Sequence, residues 1–153
     1  MPGYNITIAR DITDELVSLV ADAVKDVSYL GRAEIDTVQA LMNFVYADIT
    51  QRVLFVLMHG NRPVGLLAGV CGNQHPIFEG ITICTEFFWY VRPEHRTKDS
   101  IKLIEAYETW AKKIGARFIT MAHFDDETGQ RLSLVYKRLG YKPIEHSYVK
   151  ELA

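Results

Sequence analysis

Glu86 is a single carboxylate inside the apolar run CTEFFWYV, residues 84–91, which reads as a strand. An unpaired charge is costly to bury, so this carboxylate needs a partner, water or a chemical task. Removal from water raises a carboxyl pKa, which suits a general base. The strand ends at Arg92-Pro93, and a polar stretch, EHRTKDS, leads into apolar positions at helical spacing. Strand end, short polar turn and helix start are the usual geometry for holding a phosphate. Backbone N–H groups at a helix start lack intrahelical partners, and the helix dipole adds a partial positive charge. Arg96 and Lys98 add formal charge, while Asp99 opposes an anion unless its side chain turns away to cap the helix. The turn has no glycine. It reads equally as a plain surface turn with Asp99 or Ser100 as N-cap and Lys98 as a solvated lysine.

Other side chains offer less. His75, in the loop NQHPIFEG, and His123, at the end of a later strand, could line a substrate pocket. A lone histidine is more often satisfied by ordinary hydrogen bonds, and neither has companions at metal-ligand spacing. Ser133 has no His/Asp pattern around it, which argues against a serine hydrolase. Cys71 and Cys84 sit in apolar stretches without a CxxC or Cys/His spacing, so they read as buried free thiols in a reducing cytoplasm. The aromatic cluster of residues 87–90 reads as core rather than as a base-stacking platform, because basic residues interleave with aromatics only over residues 92–102.

The elements that position these residues follow from hydrophobic period. Residues 4–10 alternate as a strand. Residues 11–24 repeat apolar positions at three and four, with Thr13 and Asp14 as capping candidates and Leu16, Leu19, Val20, Ala23 and Val27 as the stripe. A second helix is predicted over 33–49, with Ile35, Val38, Leu41, Met42 and Val45 inward, after a break at Gly31. The period then shortens: RVLFVLMH and PVGLLAGVCG, joined by GNRP, read as a hairpin of buried strands. A third strand covers residues 81–91. A helix over 100–114 follows, with Gly115 as its stop. Then come a strand over 116–124, a helix within 125–140 carrying Leu132, Val135, Tyr136 and Leu139 inward, and a closing strand over 141–152. The predicted order is β-α-α-β-β-β-α-β-α-β: a mixed α/β fold with a mostly antiparallel sheet, helices on both faces, and a right-handed βαβ unit over 86–123.

Composition sets outer bounds. A chain of 153 residues fits one domain spanning 1–153. With 48% hydrophobic and 24% charged residues it reads as a globular protein. A formal net charge of −2 provides no global field for nucleic acid or an anionic membrane. No apolar run approaches a membrane span, and the first residues lack the apolar core of a secretory signal. These features predict a cytoplasmic location.

The element order, with the residues in YVRPEHRTKDSIKLIEAYETWAKKIGA and LVYKRLGYKP, resembles the GNAT N-acetyltransferase superfamily, most of all its compact bacterial and bacteriophage members. The family's main motif runs from an apolar-Val-x-Pro strand end through Arg/Gln-x-x-Gly-x-Gly/Ala into a helix. Here Val91-Arg92-Pro93 and Arg96 match, while Asp99 and Ile101 occupy the glycine positions. A second motif places a tyrosine before Gly-Phe/Tyr, which corresponds to Tyr136 and the following KRLGY.

The resemblance implies a splayed parallel strand pair at the centre of the sheet and acetyl-CoA as co-substrate, with no metal. The pyrophosphate would lie on the turn of Arg96, Thr97, Lys98, Asp99, Ser100 and Ile101, and the pantetheine arm along the backbone of Trp89, Tyr90 and Val91. Strand alternation places Glu86, Phe88 and Tyr90 on one face and Thr85, Phe87, Trp89 and Val91 on the other. Glu86 resembles the family's base and Tyr136 its acid, which protonates the departing thiolate. An asparagine that often precedes that tyrosine by seven residues is replaced by Gly129. The implied reaction is direct transfer of acetyl to a primary amine of a small molecule or protein, with a homodimer as a further family expectation. Asp36, Asp48 and Glu79 could attract a cationic amine. The competing reading is a GNAT-like binding or structural module without turnover.

Overall fold

The computed structural model describes residues 2–26, 36–72, 77 and 79–152. Its elements are β1 (Tyr4–Ile8), α1 (Asp14–Val24), α2 (Thr37–Val45), β2 (Arg52–His59), β3 (Arg62–Gly72), β4 (Ile83–Val91), α3 (Ile101–Lys113), β5 (Phe118–Thr120) and α4 (Glu127–Arg138). The chain divides into two compact units, Met1–Ile119 and Thr120–Ala153.

The five strands form one mixed sheet in the order β1-β2-β3-β4-β5. Neighbours from β1 to β4 are antiparallel, and β5 runs parallel to β4. The β2–β3 hairpin turns at Gly60, whose φ of 60° lies in the left-handed region that glycine adopts without steric cost. Helices α1, α2 and α4 begin where short polar side chains satisfy orphan amides. Thr13 Oγ1 accepts from the Leu16 N–H at 3.2 Å, Asp36 Oδ1 from Gln39 at 3.0 Å, and Asp126 Oδ1 from Gly129 at 2.7 Å. Helix α3 stops at Gly115, with φ of 81°.

Each sheet face buries a separate apolar layer. On one, Leu16, Leu19 and Leu41 from α1 and α2 pack with Leu54, Val56, Leu66 and Ala68. On the other lies α3, with Leu103, Ile104, Tyr107 and Trp110 buried. A Cβ on Gly69 of β3 would meet the Tyr107 and Trp110 rings at 3.1–3.2 Å, so this glycine permits the close approach of α3. The Trp110 indole N–H donates to the Ile49 carbonyl at 2.7 Å.

Several expected boundaries contract. Strand β1 stops at Ile8. Helix α2 is confined to Thr37–Val45, and Val38 and Met42 from its expected stripe are exposed. Val27, Gly31 and Ile35 lie outside the described residues. β5 is three residues long. The expected closing strand over 141–152 does not form. A strand exists only when a neighbour accepts its ladder; here Pro143 lacks an N–H and Ile144, Tyr148, Val149 and Leu152 are exposed. Without that strand, the parallel pair β4–β5 lies at the end of the sheet rather than at its centre.

Candidate active site

Strand β4 carries Glu86 and departs from simple alternation. Its register against β3 shifts between Ala68 and Gly69: Gly69 pairs with Glu86, but Ala68 pairs with Phe88, leaving Phe87 as the extra residue of a bulge. Residues paired across strands share a face. Glu86 therefore shares the α3 side with Gly69, while Phe88 and Tyr90 pack on the α1/α2 core with Ala68 and Leu66. Phe87 also turns toward α2, its ring 5.9 Å from that of Phe44. The bulge thus corrects the expected grouping of Glu86 with Phe88 and Tyr90. Glu86 itself is buried, with 9% exposure.

Beyond the bulge, β4 has one strand neighbour among the described residues. The bonds from the Arg117 and Phe118 amides to the Thr82 carbonyl, at 3.0 and 3.5 Å, place the start of β5 beside the start of β4, and β5 ends at Thr120. Among the described residues, no strand of the sheet flanks the stretch from Trp89 to Val91 on that edge. The Val91 carbonyl is occupied by the Arg96 Nε–H, which donates to it at 2.7 Å.

The turn after β4 consists of two short 3-10 segments, Pro93–His95 and Lys98–Ser100, the second running directly into α3. Ser100 is the N-cap position of α3 but makes no side-chain cap hydrogen bond; the side-chain cap belongs to the segment before it, where the Thr97 hydroxyl accepts from the Asp99 N–H at 3.2 Å. The Ser100 amide donates to the Thr97 carbonyl at 3.0 Å, the Thr97 amide to His95 at 3.0 Å and the Arg96 amide to Pro93 at 3.3 Å. These N–H groups, which a phosphate would need, are bonded inside the turn.

The charges around the turn are also committed. The Arg92 guanidinium lies 3.3 Å from Asp22, and that of Arg96 lies 3.8 Å from Asp26 and over the Tyr90 ring at 5.6 Å. Burial, reinforced by Asp26, raises the Tyr90 phenol above its ordinary pKa. Asp99 pairs with Lys102 at 2.9 Å, and its hydrogen bond to Lys102 holds its carboxyl below the ordinary aspartate value. Lys98 is exposed and takes part in none of these pairs. Tyr4 anchors the turn from β1: its hydroxyl lies 2.9 Å from His95 Nδ1, and its ring stacks on His59 at 4.6 Å.

In the second unit, α4 presents Tyr136, buried, with its hydroxyl donating to the Ala122 carbonyl at 2.8 Å. His123 lies beside it, ring centroids 6.2 Å apart, and its Nδ1 is 2.9 Å from the Phe124 carbonyl. Gly129 is buried in the first turn of α4, where an added Cβ would overlap the Phe124 carbonyl and approach His123 Nδ1 at 2.7 Å. The asparagine of the family pattern therefore has no room at this position.

His75 lies outside the described residues. Asp36 and Asp48 are used locally, as the α2 cap and as acceptor for Thr50. The pairing of Arg92 and Arg96 with Asp22 and Asp26 was not anticipated. The available signal was two acids four residues apart, Asp22 in the last turn of α1 and Asp26 in the turn just after it.

No family model matches the chain, and no curated protein matches it. Solved structures do share its fold. The aminoglycoside acetyltransferase HMB0005, from an uncultured soil metagenomic sample, is similar at TM-score 0.77 and 13% identity over 99% of each chain. AAC(6')-Iy in complex with the bisubstrate analogue CoA-S-monomethyl-acetylneamine reaches TM-score 0.74 at 14% identity, again over 99% of each chain. A transcriptional regulator from Bacillus halodurans C-125 gives 0.77 at 18% identity, over 97% of this chain and 100% of that one. The likeness is one of fold, as the element order predicted.

Proposed function

We propose that the chain is an acetyl-CoA-dependent N-acetyltransferase acting on a primary amine. The observation that carries this reading is β4: bulged beside Glu86, flanked by β5 over its first part only, and running into a turn and a helix start. The fold it shares with acetyltransferases, one of them solved with a CoA bisubstrate analogue, supports the same reading. An aminoglycoside or another polycationic small amine is the first acceptor to test, given those neighbours.

In this reading the backbone of Trp89 to Val91 takes the pantetheine arm, which requires the Arg96 Nε–H to leave the Val91 carbonyl. Lys98 and the start of α3 meet the diphosphate, with Arg96 able to turn from Asp26. The acetyl thioester supplies the activated carbonyl. Glu86 removes a proton from the attacking amine, directly or through water, and a backbone N–H of β4 polarises the carbonyl. Tyr136 donates its phenolic proton to the departing sulfur; that requires its hydroxyl to leave the Ala122 carbonyl.

A second reading is favoured by the turn: a protein with this fold but without turnover. Its amides are bonded internally, its arginines are paired with aspartates, and a transcriptional regulator shares the fold. Calorimetry with acetyl-CoA, followed by an acetylation screen over polyamines, aminoglycosides, amino acids and peptides, separates the two. Binding with turnover supports the transferase. Absence of any thermal shift at millimolar acetyl-CoA overturns it, because a bound ligand must stabilise the folded state.

A further inference from the structure

Cys71 near the end of β3 and Cys84 near the start of β4 are direct partners across the antiparallel pair. The Cys71 amide donates to the Gln51 carbonyl at 2.7 Å, on the β2 side. In an antiparallel ladder a residue's N–H and C=O point to the same neighbour, so toward β4 Cys71 belongs to a non-hydrogen-bonded pair. In such pairs the Cα atoms are about 4.5 Å apart and the side chains are at their closest. That spacing falls within the range a disulfide spans, ~4.4–6.8 Å. Both thiols are free and buried, at 7% exposure for Cys71 and 0% for Cys84.

We propose that this pair is a site of reversible oxidation, closing as a cross-strand disulfide in response to a small two-electron oxidant of the peroxide class. Burial pushes the Cys84 thiol up to about 12, and the adjacent Cys71 sulfur adds to the rise. Cys84 therefore keeps its proton, and Cys71, the slightly exposed member, reacts first. The Cys71 thiolate attacks a peroxide oxygen; the O–O bond breaks, hydroxide leaves, and Cys71 becomes a sulfenic acid. The Cys84 sulfur then attacks the Cys71 sulfur. The S–S bond forms, the S–O bond breaks, and water leaves, the Cys84 proton passing to the departing hydroxide. Two thiols and one peroxide give one disulfide and two waters, the two electrons passing from the sulfurs to oxygen. The closed ring ties both ends of the β3–β4 connection, and Cys84 lies two residues from Glu86 on the same sheet face.

The test uses the reduced full chain with stoichiometric hydrogen peroxide, read by intact mass, by thiol titration after denaturation, and by thermal melting with and without dithiothreitol. Expected are the loss of two hydrogens, simultaneous disappearance of both thiols, and a rise in Tm of roughly 5 °C, all reversed by dithiothreitol. In Cys84→Ser the Cys71 sulfenic acid has no internal partner, and a dimedone adduct accumulates on Cys71. Two thiols remaining at a peroxide level that oxidises free cysteine would overturn the proposal. So would stepwise addition of oxygens to the wild-type protein in place of hydrogen loss.

Discussion

The Asp99 carboxylate lies 2.9 Å from the Lys102 ammonium, and that ammonium donates to the Tyr4 carbonyl of β1 at 3.1 Å. Asp99 is thus drawn along the side of α3 toward β1 by its own helix, while Thr97 caps the turn. The residue that stands where the family pattern has glycine contributes a hydrogen-bonded ion pair.

This pair sets a pH dependence. Asp99 has a depressed folded-state pKa, so its contribution to stability is fully present above the unfolded aspartate value of 3.8 and lost as pH falls through the lower folded value. Asp99→Asn should lower stability at neutral pH by a small amount, as for a half-exposed ion pair, and leave it unchanged near pH 2, so the acid limb shrinks by that same amount. Urea midpoints between pH 2 and pH 7 for both proteins check it. In the transferase reading the same variant binds CoA about two-fold more tightly, since a negative charge leaves the turn.

Thr97→Ala should cost about 1 kcal/mol by removing the acceptor for the Asp99 amide. Thermal unfolding reads the cost. Calorimetry on the same variant shows whether the freed amide strengthens CoA binding, as it should if the cap and the diphosphate compete for one N–H.

Gly129→Asn, which restores the residue of the family pattern, should destabilise the protein by about 2–4 kcal/mol, because its Cβ would overlap the Phe124 carbonyl. A denaturant midpoint indistinguishable from wild type would show that the start of α4 can shift to make room.

Tyr136→Phe should cost about 1 kcal/mol in stability through the lost hydrogen bond to Ala122. If Tyr136 is also the acid, turnover falls by ~10²-fold with little change in KM for acetyl-CoA. Unchanged turnover removes the acid role.

Glu86→Gln keeps the shape of the side chain but cannot take a proton. In the transferase reading kcat drops by ~10²-fold or more, and the rising limb of the pH–rate profile disappears. Retention of that limb would assign the base elsewhere.

Much of the fold was legible before any coordinates. Thr13 beside Leu16, Leu19 and Ala23, or the α3 stripe ending at Gly115, are short-range patterns, and their physics is complete within a few residues. The turn after Val91 was legible as a place but not as a state. Whether its amides are open depends on how Thr97, His95 and Pro93 fold upon them.

The sequence by itself determined the element order as far as α4, the β2–β3 hairpin, the helix cap at Thr13 and the helix end at Gly115, because periodicity, capping and left-handed turns are local. Tertiary structure alone decided that Phe87 is bulged and Glu86 faces α3. It decided that Asp22 and Asp26 reach Arg92 and Arg96, that Cys71 sits opposite Cys84, and that 141–152 forms no strand. Each of these depends on register between segments far apart in the chain. A one-residue change in pairing moves a side chain to the other face of a sheet, and no local pattern records which pairing wins.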